Sequence, residues 1–175
     1  MSLVQSLVGP NGRRIELPTG LFINNEFVAS TGGTISTVNP SNEEEICAVS
    51  AASEHDVDKA VRAARAALKD PSWKDITATE RAAMMNKLAD LMAETREDLA
   101  TLEAWDNGKP YAAALDEDLE EAMSTLRYYA GWTDKMHGQT MSRASLGEKF
   151  AFTIRQPIGV CGQIIPWNYP LGNSP

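Results

Sequence analysis

The stretch Gln156-Pro157-Ile158-Gly159-Val160-Cys161-Gly162-Gln163-Ile164-Ile165-Pro166-Trp167-Asn168-Tyr169-Pro170 decides how the chain is read. From Ile158 to Ile165 it is apolar on both faces and carries Gly159 and Gly162, the pattern of a strand buried on two sides. It then sets an asparagine between Pro166 and Pro170, whose rings restrict the backbone around it. In α/β proteins the ligand crevice lies outside the carboxyl ends of strands, so this bend stands where a ligand would be met. On turn propensity alone, Asn168 is an ordinary turn residue.

Moving toward the amino terminus, Phe150, Phe152 and Ile154 alternate with Ala151, Thr153 and Arg155, which predicts a further strand. Before it, Leu115, Leu119, Ala122, Met123, Leu126, Tyr129, Ala130 and Met136 predict one long helix from about Tyr111 to His137, with Gly138 as its carboxy-terminal cap. Thr95 with Asp98 predicts a helix start, and Asn107-Gly108 with Pro110 its end. Thr77 with Glu80 predicts a capped helix whose stripe is Met84, Leu88, Leu91 and Met92. Ser53 with Asp56 predicts another, carrying Val57, Ala60, Val61, Ala64 and Leu68 and closed by Asp70-Pro71. Further back, Leu21-Phe22-Ile23 and Glu26-Phe27-Val28 flank Asn24-Asn25 as a hairpin, and Ile35 to Val38 is a short β-branched run stopped by Asn39-Pro40. Residues 1–20 read as a tail, 21–171 as one domain segment, and 172–175 as a second tail of helix-breaking residues.

At 175 residues, 43% hydrophobic and 23% charged, the chain has the composition of one globular domain. A formal net charge of -8 repels phosphate backbones and anionic headgroups, so neither nucleic acid nor a membrane is an expected partner. Two cysteines, Cys47 and Cys161, without metal-type spacing, fit a reducing compartment and a cytoplasmic protein. Cys161 is expected buried and inert in its strand, and Cys47 lies near a strand end. His55 reads as a solvated first-turn side chain and His137 as a favourable cation near a helix end rather than as catalytic bases, and Asp116-Glu117-Asp118 with Glu120 and Glu121 as a solvated helix face rather than a metal site. Tyr128, Tyr129 and Trp132 read as core or interface packing.

The run from Gln156 to Pro170 resembles the aldehyde dehydrogenase superfamily, in which such a sequence leads from an interdomain strand into the active site. Three more segments resemble it in the same order: Phe22 to Val28, Val38-Asn39-Pro40, and Leu102-Glu103-Ala104-Trp105-Asp106-Asn107-Gly108-Lys109-Pro110. The likeness covers about Leu21 to Leu171. It implies an α/β fold, here the amino-terminal part with helices and a few strands and most of the Rossmann-like sheet missing. It implies a homo-oligomer that oxidises an aldehyde to a carboxylic acid with NAD or NADP through a cysteine thiohemiacetal.

The resemblance assigns Asn168 as the amide donor to the developing oxyanion, and Ile164, Ile165, Pro166 and Trp167 to cofactor contact. It makes the strand near 150–156 an oligomerisation strand, and it places a weak monovalent-cation site at Thr37, Val38 and Asp106, an incomplete oxygen shell. Beyond Leu171 the family continues into a helix, the nucleotide sheet, the general base and the nucleophile, where this sequence reads Gly172-Asn173-Ser174-Pro175. The expectation is therefore a chain inactive by itself, or a non-catalytic oligomerisation and interaction module.

Overall fold

The computed structural model describes residues 3–141 and 150–173. Four antiparallel two-stranded ribbons and a helical layer are formed by the described residues. Strands β1 (Val4–Val8) and β2 (Arg14–Pro18) pair, as do β3 (Leu21–Ile23) with β4 (Glu26–Val28) and β5 (Thr34–Val38) with β6 (Glu45–Ser50). The helices are α1 (Glu54–Ala67), α2 (Pro71–Lys74), α3 (Ala78–Glu94), α4 (Arg96–Asn107), α5 (Tyr111–Ala113) and α6 (Leu119–Ala130), with a π-helical turn (Ala114–Asp118) joining the last two. A fourth ribbon pairs β7 (Thr140–Met141) with β8 (Ala151–Phe152).

Local chemistry explains most of these boundaries. Asn24 and Asn25 take φ of 55° and 62°, the left-handed pair that a two-residue hairpin turn demands and that asparagine tolerates. Ser53 and Thr77 each form a reciprocal capping box, with Asp56 and Glu80. Asp70 caps the short α2 rather than merely closing α1. Gly108 ends α4 at φ 82°, and a Cβ there would also lie 2.6 Å from Cγ of Pro40, so both conformation and space require glycine.

The core lies between α3, α4, the π-turn and α6, built on Ala89, Ala100, Ala114, Leu119, Met123 and Leu126. Ala89 is fully buried, and its small side chain lets α3 approach α6 closely. The inward face of α3 is accordingly Met85, Ala89 and Met92, whereas Met84, Leu88 and Leu91 of the expected stripe are about half exposed. The long helix is correct in place but not in continuity. Its π-turn inserts extra backbone between α5 and α6 and rotates Ala114 and Asp118 inward. It stops at Ala130, with Gly131 rather than Gly138 at its end, and leaves Tyr129, Met136, Tyr128 and Trp132 exposed. These aromatics stack on one another instead of entering the core. Thr95 makes no side-chain cap; its hydroxyl turns back to the Leu91 carbonyl.

Further expectations change. Residues 4–18 form a hairpin, not a tail, docked where Asn11 donates to Thr101 at 2.9 Å, Arg13 pairs with Glu97 and Asp98, and Gln5 donates to the Ala48 carbonyl at 3.0 Å. The run Ile158 to Ile165 is not a strand and is not buried: Ile158 is 95% and Ile164 98% exposed, and Cys161 is exposed rather than enclosed. A two-sided strand needs neighbours on both faces, and the described residues supply none. From Phe150 to Ile154 the backbone pairs only at β8 and at Thr153, whose amide donates to the Gln139 carbonyl, and Phe150, Phe152 and Ile154 stay exposed. In the final four residues, Gly172 and Asn173 belong to a turn, and the expected tail at Ser174 and Pro175 lies outside the described residues.

Asp56 illustrates how α1 is fixed. Its carboxylate accepts from the Ser53 and Thr31 amides, each at 3.0 Å, and from both their hydroxyls, and these bonds hold its pKa well below the usual carboxylate range. A depressed folded pKa contributes stability above the unfolded value that is lost as pH falls, so Asp56→Asn is expected to flatten the acid limb of a stability-against-pH curve measured by urea unfolding. Leu119 is fully buried at the centre of the helical layer, and Leu119→Ala is expected to cost about 2–5 kcal/mol by the same measurement.

Candidate functional site

The bend at Trp167 to Leu171 is anchored on the turn that ends α4. The Asn107 carboxamide donates to two consecutive backbone carbonyls, that of Trp167 at 3.2 Å and that of Asn168 at 2.9 Å. Two residues on, the Lys109 ammonium sits 4.0 Å from the centroid of the Tyr169 ring, a cation–π contact. Leu171 packs against the helical core. Asn173 closes the far side, its amide and side chain both donating to the Tyr169 carbonyl, while Gln163 donates to the Asn173 carbonyl at 2.7 Å.

Beneath the bend lies a buried charged cluster. Lys109 pairs closely with Asp118 and stands 3.8 Å from Glu103, and both carboxylates are almost wholly buried. Sequence reading placed Asp118 on a solvated face with its acidic neighbours; the π-turn instead rolls it inward, where a lysine meets it, while Asp116, Glu117, Glu120 and Glu121 do remain exposed. Burial first, and then the nearby Asp118, push the Glu103 carboxyl up to about 7, against the opposing pull of Lys109 and a hydrogen bond from the Leu171 amide. The Tyr169 hydroxyl is likewise held above its ordinary value by its hydrogen bond to Asp118. The sequence reading gave Lys109, Glu103 and Asp118 no place in a site; a lysine two residues past a helix end gives no sign that it faces inward.

Asn168 itself is exposed, and its carboxamide makes no hydrogen bond among the described residues, so the amide is free to donate to a ligand. Next to it Ile164 and Trp167 are 98% and 82% exposed and Pro166 is exposed, while Ile165 is half-buried. Together they offer an apolar strip of the kind that packs against a flat aromatic or nucleotide ring, so the residues present fit a bound nucleotide. The cation candidates are less well gathered. Thr37 and Asp106 line one cavity of about 320 Å³ with Cys47, Leu99 and Glu103, and Val38 lies at the exposed end of β5. His55 and His137 are exposed and far from the bend in sequence. No helix among the described residues is long and apolar enough to cross a membrane.

The model of the aldehyde dehydrogenase family matches residues 27–174. An aldehyde dehydrogenase of Emericella nidulans is 52% identical over 159 residues, 90% of this chain and 31% of that protein. The mitochondrial aldehyde dehydrogenase of Homo sapiens is 47% identical over 169 residues, 95% of this chain and 32% of that protein. Among solved structures, the NAD+ complex of the Bacillus cereus aldehyde dehydrogenase superposes with a TM-score of 0.83 at 49% identity, covering 87% of this chain and 31% of that one. The chain spans about a third of the length of the curated relatives it matches.

A carboxyl whose folded pKa is raised stabilises the fold fully below its unfolded value of 4.5 and loses that contribution as pH rises through about 7. Unfolding free energy is therefore expected to drop over this window by on the order of 3 kcal/mol at most from Glu103. Glu103→Gln should remove the drop, which chemical denaturation at a series of pH values would read directly.

Proposed function

Because the chain belongs to the aldehyde dehydrogenase family, we propose that the protein oxidises an aldehyde to a carboxylic acid, with Asn168 donating its side-chain amide to the aldehyde oxygen. NAD or NADP, when bound, supplies the hydride acceptor. Ile164, Ile165, Pro166 and Trp167 would hold the nucleotide, offering it apolar surface and shielding one side of it from water. The attacking group is a cysteine thiolate outside this sequence, and the adduct is a thiohemiacetal whose oxygen carries developing negative charge. An amide suits that oxygen because it donates a hydrogen bond at every working pH. Neither cysteine present replaces that nucleophile: Cys47 is buried, and Cys161, although exposed, precedes the bend on an irregular segment.

The observation that carries this reading is the exposed, unpaired Asn168 carboxamide on a turn whose neighbouring carbonyls are tied down. The resemblance to a structure holding NAD+ supports NAD as cofactor. Two cysteines without metal-type spacing support a reducing, cytoplasmic setting, and the exposed run around β8 supports assembly of identical subunits through that edge. The same exposure favours a second reading for the 175 residues alone, that they act as an interaction module. Phe150, Phe152 and Ile154 are 58–73% exposed, and apolar surface of this extent seeks a partner.

In the dehydrogenase containing this segment, Asn168→Ala is expected to lower kcat by about 10²–10³, with cofactor binding retained. An unchanged kcat for aldehyde oxidation would remove Asn168 from the mechanism. The 175-residue chain alone is expected not to reduce NAD in the presence of acetaldehyde and to self-associate with rising concentration; turnover above background or a monomer at all concentrations in sedimentation would contradict these two readings respectively.

A further inference from the structure

We infer that Asn107 is the positioning residue that sets the direction of the Asn168 side chain. The two prolines do not do this by themselves. Pro166 fixes its own φ, and Pro170 restricts Tyr169 before it, but neither ring acts on φ or ψ of Asn168. Those two torsions are the rotations of the flanking peptide planes about the Asn168 Cα. The carbonyl of Trp167 belongs to the plane before that carbon, and the carbonyl of Asn168 to the plane after it. One nitrogen of Asn107 holds both, at 3.2 and 2.9 Å, using its two N–H donors on two acceptors. With both planes tied to a single point, the direction of the Cα–Cβ bond of residue 168 is restricted.

Asn107 is free for this task. The end of α4 is already capped by the left-handed Gly108, whose amide donates to the Ala104 carbonyl at 3.0 Å, so the Asn107 side chain is not spent on its own helix. Asparagine is a poor choice for the last turn of a helix on propensity grounds, and the clamp supplies a reason for it there. The point from which it reaches is itself rigid: Gly108 abuts Pro40, Lys109 is locked by Asp118, and the Lys109 ammonium lies on the Tyr169 ring one residue beyond the clamped carbonyls. Asn107 touches no reacting atom; it acts through Asn168, and the inference rests on the amide-donor role proposed for that residue.

Two measurements test it. In the unaltered 175-residue chain, the Asn107 side-chain amide protons are expected to exchange with water slowly and to show through-hydrogen-bond coupling to the carbonyl carbons of Trp167 and Asn168 in an NMR experiment. Exchange at the rate of a free amide would overturn the clamp, and this arm needs no variant that might fail to fold. In the dehydrogenase carrying the segment, Asn107→Asp keeps the shape of the side chain but turns the donor into an acceptor facing two carbonyls. It is expected to lower kcat by about 10², the cost of a misplacement of about 1 Å, with little change in cofactor KM. On an Asn168→Ala background the same change is expected to have no further effect on kcat. An equal loss in both backgrounds, or no loss where Asn168→Ala alone is damaging, would overturn the positioning role. If Asn168→Ala proves harmless, the amide-donor role is what fails, and the exchange measurement still decides whether Asn107 holds the bend.

Discussion

A lysine largely withdrawn from water organises this chain. Burying an ammonium costs several kcal/mol unless a carboxylate meets it in good geometry, so Lys109, with little of its side chain exposed, obliges the fold to bring an acid to it. The acid is Asp118, and a regular α-helix from Tyr111 onward would carry the apolar stripe inward without it. The π-turn resolves that conflict. It lets α6 keep Leu119, Met123 and Leu126 in the core while the turn before it rolls Asp118 toward Lys109. Local helix regularity is given up where a buried charge needs a partner, a substitution that π-turns at functional places recurrently make.

What rests on that pair is the bend at Trp167 to Leu171. The side of Lys109 not facing Asp118 meets the Tyr169 ring, and Leu171 packs against the helical core. Asn107 holds the two carbonyls around Asn168 from the same turn. A segment otherwise irregular and exposed from Ile158 onward thus becomes ordered at its end, not through a sheet but through side chains from the turn ending α4. The family to which the chain belongs makes this the natural place to look for chemistry, and the geometry says what makes it stiff.

Several elements were legible because their causes are local. Paired asparagines between short apolar runs made the β3–β4 hairpin, Ser53 with Asp56 and Thr77 with Glu80 made capped helix starts, and Asn107-Gly108 ended α4. The bend was legible for another reason: Pro-Trp-Asn-Tyr-Pro is a costly combination, and it carried the likeness to the family before any coordinate did. Where reading by pattern went astray, a partner was missing from view. Ile158 to Ile165 has the composition of a doubly covered strand and lies exposed, since no described residues cover it. Residues 4–18 lacked an obvious pattern and yet dock, because their partners Thr101, Glu97 and Asp98 lie about ninety positions away.

The amino-acid sequence by itself determined the capped starts of α1 and α3, the β3–β4 hairpin, the end of α4, the family and the asparagine at position 168. These follow from periodicity, capping chemistry and a rare local motif, all of which act within a few residues. Only the tertiary structure decided which of five neighbouring acidic residues would be buried, which face of α3 would turn inward, and which side chain would hold the bend. Each of those outcomes depends on what stands opposite in space, and a charge, an alanine or a carboxamide carries no mark in the sequence of the partner it will meet.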